Sequence, residues 1–270
     1  MPNTIETQET TATKGSLLSR LLLILGIVLI VGALAIAGYI AWGYLDAQNR
    51  YRELESVAGL EITEPEMVDN NLKLEDLTFD WAALRAINSD IVGWIIIPGT
   101  NINYPIVQGE NNEVYLYKLF DNTYSGTGAV FADYEGSPTL TGQNNIIYGH
   151  NMFDGSMFSN ILMYTNQAYF DEHRVVFLCT PARNFELSAI ALIDVYADFA
   201  LREFSFDSQY DFTEFVRFVV SEPVTYAADI ESHVAGTEYL YSLVTCETFD
   251  GSKRTILCCV PVRSEVPTNA

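Results

Sequence analysis

A thiol, a guanidinium and an imidazole are the groups in this sequence whose chemistry could combine: Cys246, Arg254 and His150. Cys246 closes an apolar run of strand type, Tyr239 to Thr245, and the turn signal Phe249-Asp250-Gly251 separates it from Arg254 at the head of the next run. The register of that hairpin decides whether the two side chains meet. A three-residue loop with glycine in the left-handed region sets position 246 opposite 254 on one face, whereas a two-residue Asp250-Gly251 turn sends them to opposite faces. A guanidinium beside a thiol favours the thiolate and offers fixed donors to an oxyanion. With a histidine as proton carrier the set can perform acyl transfer. Spacing alone favours the plainer alternative, a surface arginine next to an inert cysteine.

His150 ends a β-type run at Tyr148-Gly149-His150-Asn151, where the glycine lets the backbone turn and the ring reach a cleft. His173 sits in a charged turn and reads as solvated, and His233 lies in a polar connection. Cys179, Cys258 and Cys259 fall inside apolar runs and read as small buried hydrophobes; adjacent in a strand, Cys258 and Cys259 should point to opposite faces. Chain order narrows the chemistry. Papain-like and peptidoglycan-amidase cysteine enzymes place Cys before His, the reverse of the order here, and the His-Gly-Cys segment of L,D-transpeptidases is missing.

The elements that must position these groups are short. Apolar runs at Trp94 to Ile97, Tyr104 to Val107, Ala129 to Ala132, Asn145 to Gly149, Val175 to Cys179, Phe185 to Ala197, Tyr239 to Cys246 and Thr255 to Val262 alternate with turn residues. So many short strands predict a mainly β, closed or nearly closed barrel. Helical patterns interrupt them at Ser156 to Tyr164 and at Asp207 to Val220, where Tyr210, Phe215, Phe218 and Val219 could form an apolar stripe. Asp80 can cap a short helix carrying Trp81, Leu84 and Ile87 on one face.

Upstream lies a different kind of segment, since Leu21 to Leu45 holds no charged residue. Leu21 to Trp42 alone would span about 33 Å as a helix at about 1.5 Å per residue, enough to cross a bilayer. A cleaved signal peptide has an apolar region of only about 7 to 15 residues, so an uncleaved anchor is the reading adopted, although Ala33-Leu34-Ala35 resembles a cleavage site. The expected organisation is a tail (1–20), a membrane anchor (21–44), a stalk or first helix (45–77) and a body (78–270). The 270-residue chain has 14 basic and 35 acidic residues and a formal charge of -21, which excludes the phosphate-neutralising surface of a nucleic-acid binder. The tail and anchor carry as many basic as acidic side chains, so the acidic surplus belongs to the body, where it reads as a solvated surface.

Ser242-Leu243-Val244-Thr245-Cys246 with Arg254 downstream resembles the sortase signature Thr-Leu-x-Thr-Cys and its arginine, and Tyr148-Gly149-His150-Asn151-Met152 resembles that family's histidine segment. The likeness runs from about Ile91 to Val262 and includes Val92-Gly93-Trp94-Ile95 and Tyr104-Pro105-Ile106-Val107-Gln108. The short interval from Cys246 to Arg254 and the helix before the cysteine strand are similar to class B sortases. Ser242 departs from the signature threonine but keeps the hydroxyl. The resemblance implies an eight-stranded β-barrel and a membrane-anchored cysteine transpeptidase of a Gram-positive cell envelope. Its partners would be surface proteins bearing a C-terminal sorting signal and an amine of peptidoglycan or a pilin. Cys246 would be the nucleophile, Arg254 the oxyanion holder and His150 the acid to the leaving amine. Thr245 would line the substrate site and the Glu247 amide would add a second donor. No cofactor is implied. A thiol hydrolase with water as acceptor and a catalytically silent anchored binding module remain open alternatives.

Lys14 and Arg20 precede the apolar span, and Asp46, Arg50, Arg52 and Glu53 follow it, which by the positive-inside rule puts the N-terminus in the cytoplasm. Protease added to intact cells is therefore expected to remove the body. Protection of the body with cleavage of the tail would reverse the orientation.

Overall fold

Side chains in neighbouring strands alternate between two apolar environments, and this alternation curls the sheet. In β8 (Leu240–Cys246) and β9 (Lys253–Glu265), Tyr241, Leu243, Leu257 and Cys259 join one buried cluster, while Val244, Ile256, Cys258 and Val260 join a second. Cys258 and Cys259 thus face opposite ways, as strand geometry requires. The computed structural model describes residues 17–60, 72–246 and 251–267, with the backbone alone at Cys246.

The remaining strands are β1 (Ile91–Ile96), β2 (Asn103–Val107), β3 (Val130–Ala132), β4 (Asn144–Tyr148), β5 (Val175–Cys179), β6 (Asn184–Tyr196) and β7 (Thr225–Tyr226). Their hydrogen-bonded order is β5-β1-β2-β3-β4-β8-β9-β6-β7, and β5 also pairs with β6. Eight strands therefore close on themselves, as expected, and the ring leaves no open edge at that seam. β7, two residues long and outside the expected set, attaches to β6 through Ala191 and Leu192. Trp94, Tyr241 and Leu257 are fully buried in the first cluster.

Helix α1 (Leu17–Val57) runs unbroken for 41 residues, but the chain divides into a unit ending at Asp46 and a unit from Ala47 to Ala270. The part of α1 in the first unit is long and apolar enough to cross a membrane. In the second unit Ala47, Tyr51 and Leu54, spaced for one helix face, are buried. Asn103 donates to Glu55 (3.1 Å) and accepts from Trp94 Nε1 (2.6 Å), which ties this helix to the barrel wall. Residues 61–71 of the expected stalk lie outside the described residues.

Short helices α2 (Trp81–Ile87), α3 (Gln167–Glu172), α4 (Gln209–Val219) and α5 (Ile230–Gly236) decorate the barrel. Asp80 caps α2 by accepting from the Ala83 amide at 2.9 Å; Trp81 and Leu84 are buried, whereas Ile87, where the helix ends, is exposed. The segment expected to be helical from Ser156 is a 3-10 turn, Ser159–Thr165. On α4 the buried stripe is Phe212, Val216 and Val219; of the expected four, Val219 belongs to it and Phe215 is half-buried beside it. Residues at i, i+4 and i+7 form a narrower ridge than Tyr210, Phe215, Phe218 and Val219 would, so Tyr210 and Phe218 stay exposed. Phe218 instead stacks on Phe199, with ring centroids 5.1 Å apart.

The second cluster lies between the outward strand faces and α4, and Phe212 is fully buried in it. Phe212→Ala is expected to cost about 3–5 kcal/mol, seen as a lower urea midpoint with an unchanged slope. A loss below about 1 kcal/mol would show that α4 is not anchored by this side chain.

Candidate active site

β4 and β8 run parallel, in register from Asn144–Leu240 to Tyr148–Val244, and the Gly149 amide extends the ladder by donating to the Val244 carbonyl at 3.1 Å. Parallel strands finish at the same rim, so Gly149-His150 and Thr245-Cys246 leave the barrel side by side. On the other side of β8, antiparallel β9 sets Arg254 directly opposite Cys246. The backbone thereby gathers all three expected catalytic positions at one rim.

The register matches the one expected of a three-residue hairpin; the turn residues 247–250 lie outside the described residues. The strands stop at Cys246 and resume at Lys253. The inward pair Leu243–Leu257 and the outward pair Val244–Ile256 hold the register, because a slip by one residue would exchange the two faces. Glu247 lies outside the described residues.

His150 is half-buried, and its Nε2 lies 2.8 Å from the Leu116 carbonyl oxygen. A carbonyl can only accept, so Nε2 carries the hydrogen and the neutral ring offers Nδ1 as its basic atom. Two glycines make room for this seat. At Gly128 (φ 58°) a Cβ would lie 2.6 Å from the Leu116 oxygen and 2.8 Å from the imidazole, and at Gly149 it would lie 2.6 Å from the Phe158 ring. Phe158 in turn donates its amide to the His150 carbonyl at 2.9 Å. The histidine's own carbonyl and one ring nitrogen are therefore held.

A cavity of about 280 Å³ opens at this rim, lined by His150, Arg254 and Thr245 with Tyr148, Asn112, Leu116 and Ala197 among its other walls. The Arg254 guanidinium donates from Nη1 to the carbonyls of Gly251 and Lys253, both at 2.8 Å. Thr245 is buried, and its hydroxyl has no hydrogen-bond partner among the described residues; the same holds for Ser242 deeper in the strand. His173 and His233 do not line this cavity. Neither is simply solvated: His173 stacks on Tyr169 with ring centroids 3.9 Å apart, and His233 on α5 lies 3.2 Å from the Asp229 carboxylate. Burial pushes up the thiols of Cys179, Cys258 and Cys259, that of Cys258 to about 12, so these three are inert hydrophobes as expected. Among the described residues no group of three His, Cys, Asp or Glu side chains is placed to hold a metal.

Sequence reasoning missed Leu116, Gly128 and Asn112. Gly128 immediately precedes the expected run Ala129 to Ala132, and the other two bear no local signal.

A protein-family model described as the sortase domain matches residues 95–262. Among curated proteins, the chain is 33% identical over 165 residues to sortase B of Listeria monocytogenes and 26% identical over 165 residues to sortase B of Staphylococcus aureus. Each alignment covers 61% of this chain and 66% of the relative, so the chain spans slightly less than two thirds of their length. Among solved structures, a Bacillus anthracis sortase B in complex with AAEK1 superposes with a TM-score of 0.68 at 24% identity, covering 82% of this chain and 100% of that one. A Staphylococcus aureus sortase B–substrate complex gives 0.66 at 24% identity, covering 81% and 98%. At this identity the superpositions speak to the fold, the same closed barrel with helices.

The Leu116 contact makes a spectroscopic prediction. Neutral His150 is expected as the Nε2–H tautomer, read from its ring nitrogen shifts, and Gly128→Ala should disturb that signature by pushing on both ring and carbonyl. An Nδ1–H tautomer in the wild-type protein would show that the carbonyl does not orient the ring.

Proposed function

The chain belongs to the sortase family, most like its class B members, and we propose that it is a membrane-anchored cysteine transpeptidase that cleaves a C-terminal sorting motif on secreted proteins and passes the acyl group to a cell-wall or pilin amine. The observation that supports this reading most is the convergence of positions 150, 246 and 254 at one rim through two strand pairings. A structurally similar sortase B has been captured with its substrate, which adds support for a peptide-binding role.

In this reading the Cys246 thiolate attacks the carbonyl carbon of the sorting motif. Charge moves to the oxygen, which Arg254 holds through guanidinium donors other than the Nη1 bonds to its own hairpin, with the Glu247 amide as a second donor. The imidazolium of His150 gives its Nδ1 proton to the leaving amine, and the C–N bond breaks to leave a thioacyl enzyme. An acceptor amine then attacks the thioester, His150 takes up the amine's proton, and Cys246 departs as thiolate. Thr245 sits against the substrate in the wall of the cavity. The apolar half of α1 spans the membrane once, with the N-terminus in the cytoplasm and the barrel outside.

A sorting peptide should acylate Cys246, and Arg254 is the sharper test. Arg254→Lys keeps the charge and loses the planar fork, so turnover should fall by about 10²-fold or more, the usual loss for one oxyanion donor. Near-normal turnover in a folded Arg254→Lys protein would remove the oxyanion role. An adduct on Cys179, Cys258 or Cys259, or turnover in Cys246→Ala, would refute the nucleophile. Hydrolysis unaffected by added amine would make the enzyme a hydrolase.

A further inference from the structure

Behind the cavity wall lies a carboxylate that the chemistry above does not use. Asp133 follows β3, and its side chain is fully buried. Its Oδ2 accepts from Arg202 Nε (2.8 Å), Asn112 Nδ2 (2.9 Å) and the Tyr148 hydroxyl (2.9 Å), while its Oδ1 accepts from Arg202 Nη2 (3.1 Å) and the Glu135 amide (3.1 Å). Tyr148 and Asn112 are two of the residues that line the cavity beside His150 and Arg254. Arg202 belongs to the segment joining β6 to α4, which starts at Ala197, itself a cavity residue. One buried anion thus grips both sides of the cleft.

Other contacts of the same segment show that it is held at discrete points. Asn144 donates to the carbonyls of Leu201 (2.8 Å) and Glu203 (3.0 Å), and the Ala197 amide donates to the Ser252 carbonyl (2.7 Å). Arg202 also reaches Glu135 at 2.6 Å and lies over the Tyr134 ring. These contacts hold the segment at its start, on either side of Arg202 and on its exposed face. Asn144 reaches the segment from the start of β4, and the bidentate Asp133–Arg202 pair is a second link, made to the end of that strand through Tyr148. Although burial opposes ionisation, the bonds from Arg202, the Glu135 amide, Asn112 and Tyr148 together keep the Asp133 carboxyl below its ordinary range, so it remains an anion under working conditions.

We infer that Asp133 is a positioning residue for the acyl donor: through Arg202 on one side and Tyr148 and Asn112 on the other, it sets the separation of the two cleft walls that clasp the sorting peptide. The inference rests on the transpeptidase reading for its substrate, but its physical content does not. Loss of the pair should loosen the segment and weaken peptide capture, and the strand rim that carries the reacting groups should be much less affected. A buried anion whose cation is removed is left uncompensated, so the two residues must also act as a unit.

The test combines hydrogen exchange with steady-state kinetics on Asp133→Asn, Arg202→Gln and the double variant of the full chain, with Arg202→Lys as a milder probe should Asp133→Asn fail to fold. Amides in 197–206 are expected to exchange faster in each single variant, with KM for a sorting peptide up by about tenfold and kcat within about threefold of wild type. The double variant should be no worse than Arg202→Gln alone. Exchange equal to wild type in 197–206, an unchanged KM, or effects that simply multiply in the double variant would overturn the inference. A wild-type chain inactive on sorting peptides, with exchange still accelerated in the variants, would instead overturn the transpeptidase reading and with it the role given to Asp133 in peptide capture.

Discussion

The parallel pairing of β4 with β8 is the constraint on which the site depends. In an antiparallel pair the two strands would end at opposite rims, and a histidine after one could not meet a cysteine at the end of the other. Parallel neighbours demand a long crossover, and the chain supplies it with β5, β6, β7 and the helices between Tyr148 and Leu240. That crossover is not a passive excursion. It carries the segment that begins at Ala197, a wall of the cavity, and continues to Arg202, so the topology that aligns positions 150, 246 and 254 also delivers part of the wall beside them.

Closure of the barrel makes the alignment rigid. Every strand that contributes to the rim is paired on both sides, and the side chains beneath it, Leu243, Ile147 and Leu257 among them, are fully buried. Shifting β8 by one residue would move Leu243 outward and Val244 inward, breaking two clusters at once. The position of Cys246 opposite Arg254 is thus secured by apolar residues that take no part in the chemistry. The histidine is held by a different device, backbone crowding, since Gly128 and Gly149 admit neighbours that any side chain would displace.

These two devices explain what could be read from the sequence. All eight barrel strands were visible because their alternation is local, and the signatures around His150 and Cys246 are contiguous. The helix face on α4 was misread because several aromatics compete within one turn of the pattern, and only the packed partner decides among them. The hairpin register was legible as one of two possibilities, and the pairing of Cys246 with Arg254 selects between them. Asp133 was invisible because an aspartate after a strand reads as a turn residue, and Arg202 stands 69 positions away. Long-range polar pairs leave no periodic trace, so the groups that brace a site are harder to read than the groups that act in it.

The placement of the cysteines follows from the same physics. A thiol inside a closed barrel is desolvated on every side, and at Cys179, Cys258 and Cys259 that desolvation holds the proton on sulfur. Alternation offers no remedy within a strand, because the inward face meets the core and the outward face, under α4, meets the second cluster. A strand terminus is where backbone order persists while the packed layers end. A nucleophile needs a fixed position together with a route to water and substrate, and in the proposed reading the last residue of β8, paired with Arg254 near the start of β9, would meet both needs.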